Sequence, residues 1–114
     1  MITSFRLGQL KKRSEFLFVR NGKYRAIGGV VIQMRENPDK SDIIRVGFTA
    51  TKKIGGAVQR NRAKRRLRAC ARELLPQYGL AGHDYVFIAR DKTNGRNFEE
   101  LLGDVKKALL TLAN

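Results

Sequence analysis

Thirty consecutive residues, Ile43 to Arg72, carry ten basic side chains and not one carboxylate. The flanking segments hold nine basic against four acidic residues before it and five against six after it. Over the whole chain, 24 Lys and Arg against 10 Asp and Glu give a net charge of +14. A segment of this kind cannot neutralise itself locally, so its cations repel one another in the folded state unless something external offsets them. Nucleic acid phosphate, an anionic lipid surface and an acidic protein are the candidates.

The same segment switches hydrophobic period halfway along. Ile44, Val46, Phe48 and Ala50 alternate with Ile43, Arg45, Gly47 and Thr49, the two-residue period of a half-buried strand over residues 43 to 51. Beyond Lys52-Lys53-Ile54-Gly55-Gly56, the residues Ala63, Leu67, Cys70, Ala71 and Leu74 follow the helical period, and the helix is expected to stop before Pro76. Val58 is out of phase and leaves its start open. At about 100° per residue, Arg65, Arg68 and Arg72 fall opposite the apolar stripe, while Arg60, Arg62, Lys64 and Arg66 line its flanks. Seven of the ten cations are arginines, whose planar forks suit bidentate phosphate contact; Lys52, Lys53 and Lys64 are the others. An ordinary solvated helix intersperses Glu among its cations, yet the first acid here is Glu73. Nucleic acid is therefore the favoured partner.

The rest of the chain supplies a frame. Ser14 as N-cap and Asn21-Gly22 as stop predict a short first helix, and Ala26 to Met34 reads as a strand forming an antiparallel hairpin with residues 43 to 51. Tyr85 to Ala89 reads as a strand buried on both faces, and Asn97 with Glu100 as a capping box opens a last helix. The order is α-β-β-α-β-α, with residues 1 to 10 and 36 to 42 expected to fray. A chain of 114 residues can bury roughly 65% of its unfolded surface, enough for one domain over residues 1 to 114. The lone Cys70 excludes an intramolecular disulfide and reads as a buried thiol. No apolar run approaches a membrane span or a secretory signal, so the cytoplasm is the expected compartment.

Catalysis by the chain itself is not expected. His83 is the only histidine, Asp42, Asp84 and Asp91 flank strands without paired spacing, and one His with one Cys cannot build a metal cluster. The Gly55-Gly56 turn either brings backbone N–H groups to a phosphate or is a plain strand-to-helix turn; it lacks the spacing of a nucleotide-binding loop. Phe16, Phe18 and Tyr24 either pack in the core or stack on unpaired bases. A basic amphipathic membrane helix is disfavoured, because no helix joins the basic face to a bulky apolar one.

The stretch Lys52 to Arg68, containing Arg60-Asn61-Arg62-Ala63-Lys64-Arg65, resembles the Arg-Asn-Arg signature of the bacterial ribonuclease P protein family. Arg45-Val46-Gly47-Phe48-Thr49, Asp84 to Arg90 and Leu10 to Phe16 are similar to that family in type and spacing, so the likeness spans nearly the whole chain. The resemblance implies an α/β two-layer sandwich of a ribosomal-protein type, with a small central sheet and a left-handed β-α-β crossover. It implies a protein without catalytic residues that assists an RNA subunit in the Mg²⁺-dependent removal of the 5′ leader of precursor tRNA, the Mg²⁺ being held mainly by RNA. Its partners would be ribonuclease P RNA and precursor tRNA, with no membrane and no small-molecule substrate. By the same resemblance, Lys52, Lys53, Arg60, Asn61, Arg62, Lys64, Arg65, Arg66 and Arg68 would bind RNA, and Phe16, Val86 and Ile88 would line a cleft for the leader. The rivals are a structural RNA-binding protein of ribosomal kind and, less favoured, a self-contained nuclease.

Overall fold

The computed structural model describes residues 7–39 and 41–114. Their elements are β1 (Leu7–Gln9), α1 (Arg13–Arg20), β2 (Lys23–Ile27), β3 (Val30–Glu36), β4 (Ile44–Thr49), α2 (Ala57–Tyr78), β5 (His83–Ala89) and α3 (Phe98–Leu112), with a 3-10 turn at Lys52–Ile54. The helices follow the expected order, and the sheet gains two strands. Ala26 to Met34 is not one strand: the chain reverses at Gly28, whose φ of 52° favours glycine, and β2 returns along β3. β1 occupies part of the stretch expected to fray; residues 1–6 lie outside the described residues. The loop before β4 is pinned too, since the Asn37 N–H donates to the Gly82 carbonyl at 2.8 Å and its Nδ2 to the Ile43 carbonyl at 2.9 Å. Lys40, in the same loop, is outside the described residues.

The sheet runs β1-β4-β5-β3-β2. The expected hairpin between the third and fourth strands does not form, because β5 lies between them, antiparallel to β3 and parallel to β4. The reason is burial. β5 is apolar on both faces, so it takes the central position where both are covered, and the strands with mixed faces flank it. The crossover from β4 to β5 is carried by α2.

α2 and α3 cover one face. Ile32, Ile44, Tyr85 and Phe87 meet Leu67, Leu75, Leu101 and Leu109 in the main core. This is the expected sandwich; α1 adds a partial layer on the other face, where Leu10, Val19 and Val86 form a smaller cluster with Phe16, Phe18 and Ile88.

Two helix boundaries differ from expectation. α1 begins one residue before Ser14, and its cap is made by Glu15, whose Oε1 accepts the Lys11 and Lys12 N–H groups at 2.8 Å each. These bonds hold the Glu15 carboxyl below the usual carboxylate range. α2 runs through Pro76 to Tyr78. The carbonyl that Pro76 leaves without a donor belongs to Arg72; both residues are exposed in the last turns, where the carbonyl is open to solvent.

α2 forms despite its charge. Arg60/Lys64, Arg62/Arg66, Lys64/Arg68 and Arg68/Arg72 are like-charged pairs four apart, each unfavourable by about 0.2–0.5 kcal/mol. Leu67, Leu74 and Leu75 are buried on the same helix, each contributing about 2 kcal/mol. Burial outweighs repulsion, and the cations stand on a scaffold that they did not create.

A candidate nucleic-acid interface on α2 and an adjoining groove

The interface starts at the turn before α2. Gly55 has φ 138°, in the region that favours glycine, and Gly56 is the N-cap without any side-chain cap. The first N–H groups of α2 therefore point outward with the positive end of the helix. Lys52 and Lys53 flank this turn and are exposed.

The expected RNA-binding residues divide in two. Among the described residues, Lys52, Lys53, Asn61, Arg62, Lys64 and Arg65 have no side-chain hydrogen bond or ion pair, so their heads are free. The other three are engaged. Arg60 donates to the Gly55 carbonyl at 3.3 Å, and the Arg68 guanidinium lies 5.1 Å from the Phe48 ring centre. Arg66 donates through both terminal nitrogens to the carbonyls of Thr93 and Arg96. Its flank position on the helix is as expected, but its charge is turned to the fold.

The loop it holds was not legible beforehand. Thr93 Oγ1 donates to the Gly29 carbonyl at 2.6 Å, and the Asn94 side chain donates to the Gln59 carbonyl at 3.0 Å. The Arg96 fork meets both oxygens of Asp104 at 2.9 Å, and Asp104 also accepts the Gly29 N–H at 2.9 Å. This network ties the start of α2 to the β2–β3 turn and to α3. Arg45, counted within the acid-free segment, is likewise neutralised from a distance, by Asp84 at 2.9 Å and Asp39 at 3.3 Å. Burial pushes the Asp84 carboxyl above its ordinary value against the pull of that guanidinium.

On the opposite face of the sheet, Phe16, Val86 and Ile88 come together in a groove of about 460 Å³, with Arg13, Arg20 and Gln33 around it. The Phe16 ring lies over Gly47, where a Cβ would come within 2.5 Å of it, so the approach requires glycine. Phe18 is not free to stack: the Arg35 guanidinium covers its ring at 4.0 Å. Tyr24 is 69% exposed. It is paired across the strands with Gln33, and Gln33 with Val86, so Tyr24 continues the groove's row to the sheet edge.

The candidates for catalysis do not come together. His83 opens β5, with Nδ1 3.0 Å from the Ala81 carbonyl. Cys70 is fully buried, which pushes its thiol up to about 12. Among the described residues no group of three His, Cys, Asp or Glu could hold a metal ion, and no helix is long and apolar enough to cross a membrane.

Comparison with known proteins adds an independent line. A family model described as Ribonuclease P matches residues 6–113. Ribonuclease P protein components of Caulobacter vibrioides and Ruegeria pomeroyi are 55% and 47% identical to this chain over 105 residues each. These alignments cover 92% and 90% of this chain and 70% and 84% of the relatives. The solved ribonuclease P protein of Staphylococcus aureus is similar with TM-score 0.76 and 26% identity, over 93% of this chain and 94% of that one. That of Thermotoga maritima gives 0.77 and 27%, over 90% and 96%.

Proposed function

Because this chain belongs to the ribonuclease P protein family and is a protein component of that ribonucleoprotein, we propose that the α2 face binds the catalytic RNA and the tRNA cleavage region while the Phe16–Val86–Ile88 groove holds the single-stranded 5′ leader. The observation that carries this reading is the row of unpaired cations, Lys52, Lys53, Arg62, Lys64 and Arg65, on a rigidly held helix. A partner with many phosphates offsets their repulsion and releases its counterions on binding. The groove adds what an unpaired strand needs, an aromatic ring and apolar floor beside Arg13 and Arg20.

The role is electrostatic and positional. Neutralising the repulsion between ribozyme and substrate lowers the Mg²⁺ concentration required, and holding the leader favours precursor over mature tRNA, which lets product leave. Among the described residues no three carboxylate, His or Cys side chains gather to hold a metal ion, and Asp39, Asp84 and Asp104 are paired with arginines, so the Mg²⁺ is assigned to the RNA. The chain supplies no catalytic group, and its place is the cytoplasm, with the precursor tRNA.

The test is cleavage of a 5′-extended precursor tRNA by a bacterial ribonuclease P RNA at low Mg²⁺, with and without this protein, beside a protein-only control. Cleavage only when both are present is the expected result. Tight, salt-sensitive RNA binding without any gain in cleavage would favour the structural RNA-binding role instead.

A further inference from the structure

The flank of the sheet beside α2 holds a second concavity. β1 extends the sheet past the cover of α2, so that Leu7, Val46, Phe48, Arg68, Ala71 and Arg72 surround a recess of about 260 Å³. The floor is apolar. The Phe48 ring is braced by Phe87, with ring centres 5.5 Å apart and planes tilted 54°, and remains only half-buried. The Arg68 guanidinium stands 5.1 Å from its centre, and Arg72 is exposed, with no side-chain partner among the described residues. Among the described residues no further strand lies beyond β1, which forms the rim.

We propose that this recess seats one nucleobase turned out of an RNA strand, stacked on the Arg68 guanidinium that lies over Phe48, with a neighbouring phosphate on Arg72. The inference rests on the RNA-binding reading and adds a base contact that shares only Arg68 with the residues already assigned to RNA and lies outside the Phe16 groove. Three observations select this occupant. Pockets for drug-sized molecules span roughly 300–1,000 Å³, so a recess of about 260 Å³ suits one flat ring and not a peptide helix. Its charged lining is two arginines without a carboxylate, which favours a ligand that carries its own anion. A second copy of a chain with net charge +14 is disfavoured by the same charge. Single-stranded RNA is recognised by splaying bases onto aromatic rings and guanidinium planes, and this recess holds one of each.

The test is a titration of the full chain, followed by backbone-amide NMR shifts, with adenosine 5′-monophosphate and with ribose 5-phosphate. The monophosphate is expected to move the amides of Gly8, Val46, Phe48 and Ala71 along one saturating curve. Ribose 5-phosphate, which lacks the ring, should bind there about tenfold more weakly. Phe48→Leu should weaken the monophosphate about tenfold while the thermal midpoint holds. Arg72→Ala should weaken the monophosphate but not adenosine; if Phe48→Leu fails to fold, this variant and the ribose 5-phosphate arm decide. Equal binding of the two probes, or shifts confined to Phe16, Val86 and Ile88, would overturn the proposal. So would recess amides that move on deletion of residues 1–6 but not with the monophosphate, which would assign the recess to the chain's own N-terminal segment. Binding of precursor tRNA, measured separately, distinguishes the failures: if it is absent while the monophosphate fills the recess, the RNA reading fails and the base seat stands.

Discussion

Arg65 and Arg66 are neighbours on α2 with the same side chain, yet Arg65 reaches into solvent unpaired while Arg66 is bound to two backbone carbonyls of the following loop. The contrast extends along the helix: Arg62, Lys64, Arg65 and Arg72 form a free row, and Arg60, Arg66 and Arg68 a row engaged with the protein. A helix advances about 100° per residue, so adjacent cations face different surroundings. The free row keeps its electrostatic energy for a partner. The engaged row has already used much of it in folding, and substitutions in the two rows should be told apart by what they damage.

The largest effect is expected from the free row. Arg62→Ala, Lys64→Ala and Arg65→Ala together should weaken precursor tRNA binding by about a hundredfold to a thousandfold and lower the log–log salt slope by about 2, with the thermal midpoint unchanged. An unchanged slope would remove these side chains from the phosphates. Arg66→Ala should do the reverse, destabilising the fold by about 2–3 kcal/mol in urea unfolding because the Thr93 and Arg96 carbonyls lose their charged donor, while the salt slope of the remaining folded protein holds. A fall in slope without loss of stability would merge the two rows.

The groove provides a smaller contrast between stacking and packing. Tyr24→Ala should weaken binding of a leader-bearing precursor by about 1–2 kcal/mol without affecting mature tRNA, whereas Phe18→Ala should show up as lost stability. Equal effects of Tyr24→Ala on both RNAs would take Tyr24 off the leader path. Cys70 tests the inward side of α2 by pH. Its thiol is raised from 9.0 to about 12 in the folded state, so its contribution to stability is complete below pH 9 and is lost as pH rises toward 12. Unfolding free energies from urea titrations should therefore fall above pH 9 more steeply than those of Cys70→Ala, by at most about 1.4 kcal/mol per pH unit. Glu15→Ala gives the smallest change, about 1 kcal/mol, by uncapping α1. The depressed carboxyl carries the sign the other way: its contribution is present above the ordinary value of 4.5 and is lost on further acidification.

Local pattern read the helices well because their signals are short-range. The apolar spacing of Ala63, Leu67, Cys70 and Leu74 placed the buried stripe of α2, and Asn97 with Glu100 placed the cap of α3, where Glu100 N–H donates to Asn97 Oδ1 at 2.8 Å. Ser14 misled, because Glu15 accepts the Lys11 and Lys12 N–H groups and the helix starts at Arg13, which leaves Ser14 inside its first turn. Strand pairing was poorly legible: nothing near Ile44 announces that its strand neighbours are Leu7–Gln9 and His83–Ala89. The meeting of Phe16 with Val86 and Ile88 was reached only through the family likeness, since about seventy residues separate them.

By itself the sequence determined that one face of a long helix would be crowded with cations that no neighbouring acid relieves, because charge and period are properties of adjacent residues. Which cations stay free was decided only by tertiary structure. Asp84 reaches Arg45, and the Thr93 and Arg96 carbonyls reach Arg66, across separations of 27 to 39 residues that only the folded chain brings within a hydrogen bond. The groove and the recess follow the same rule, for a concave surface exists only where elements distant in the chain are packed with an edge left uncovered.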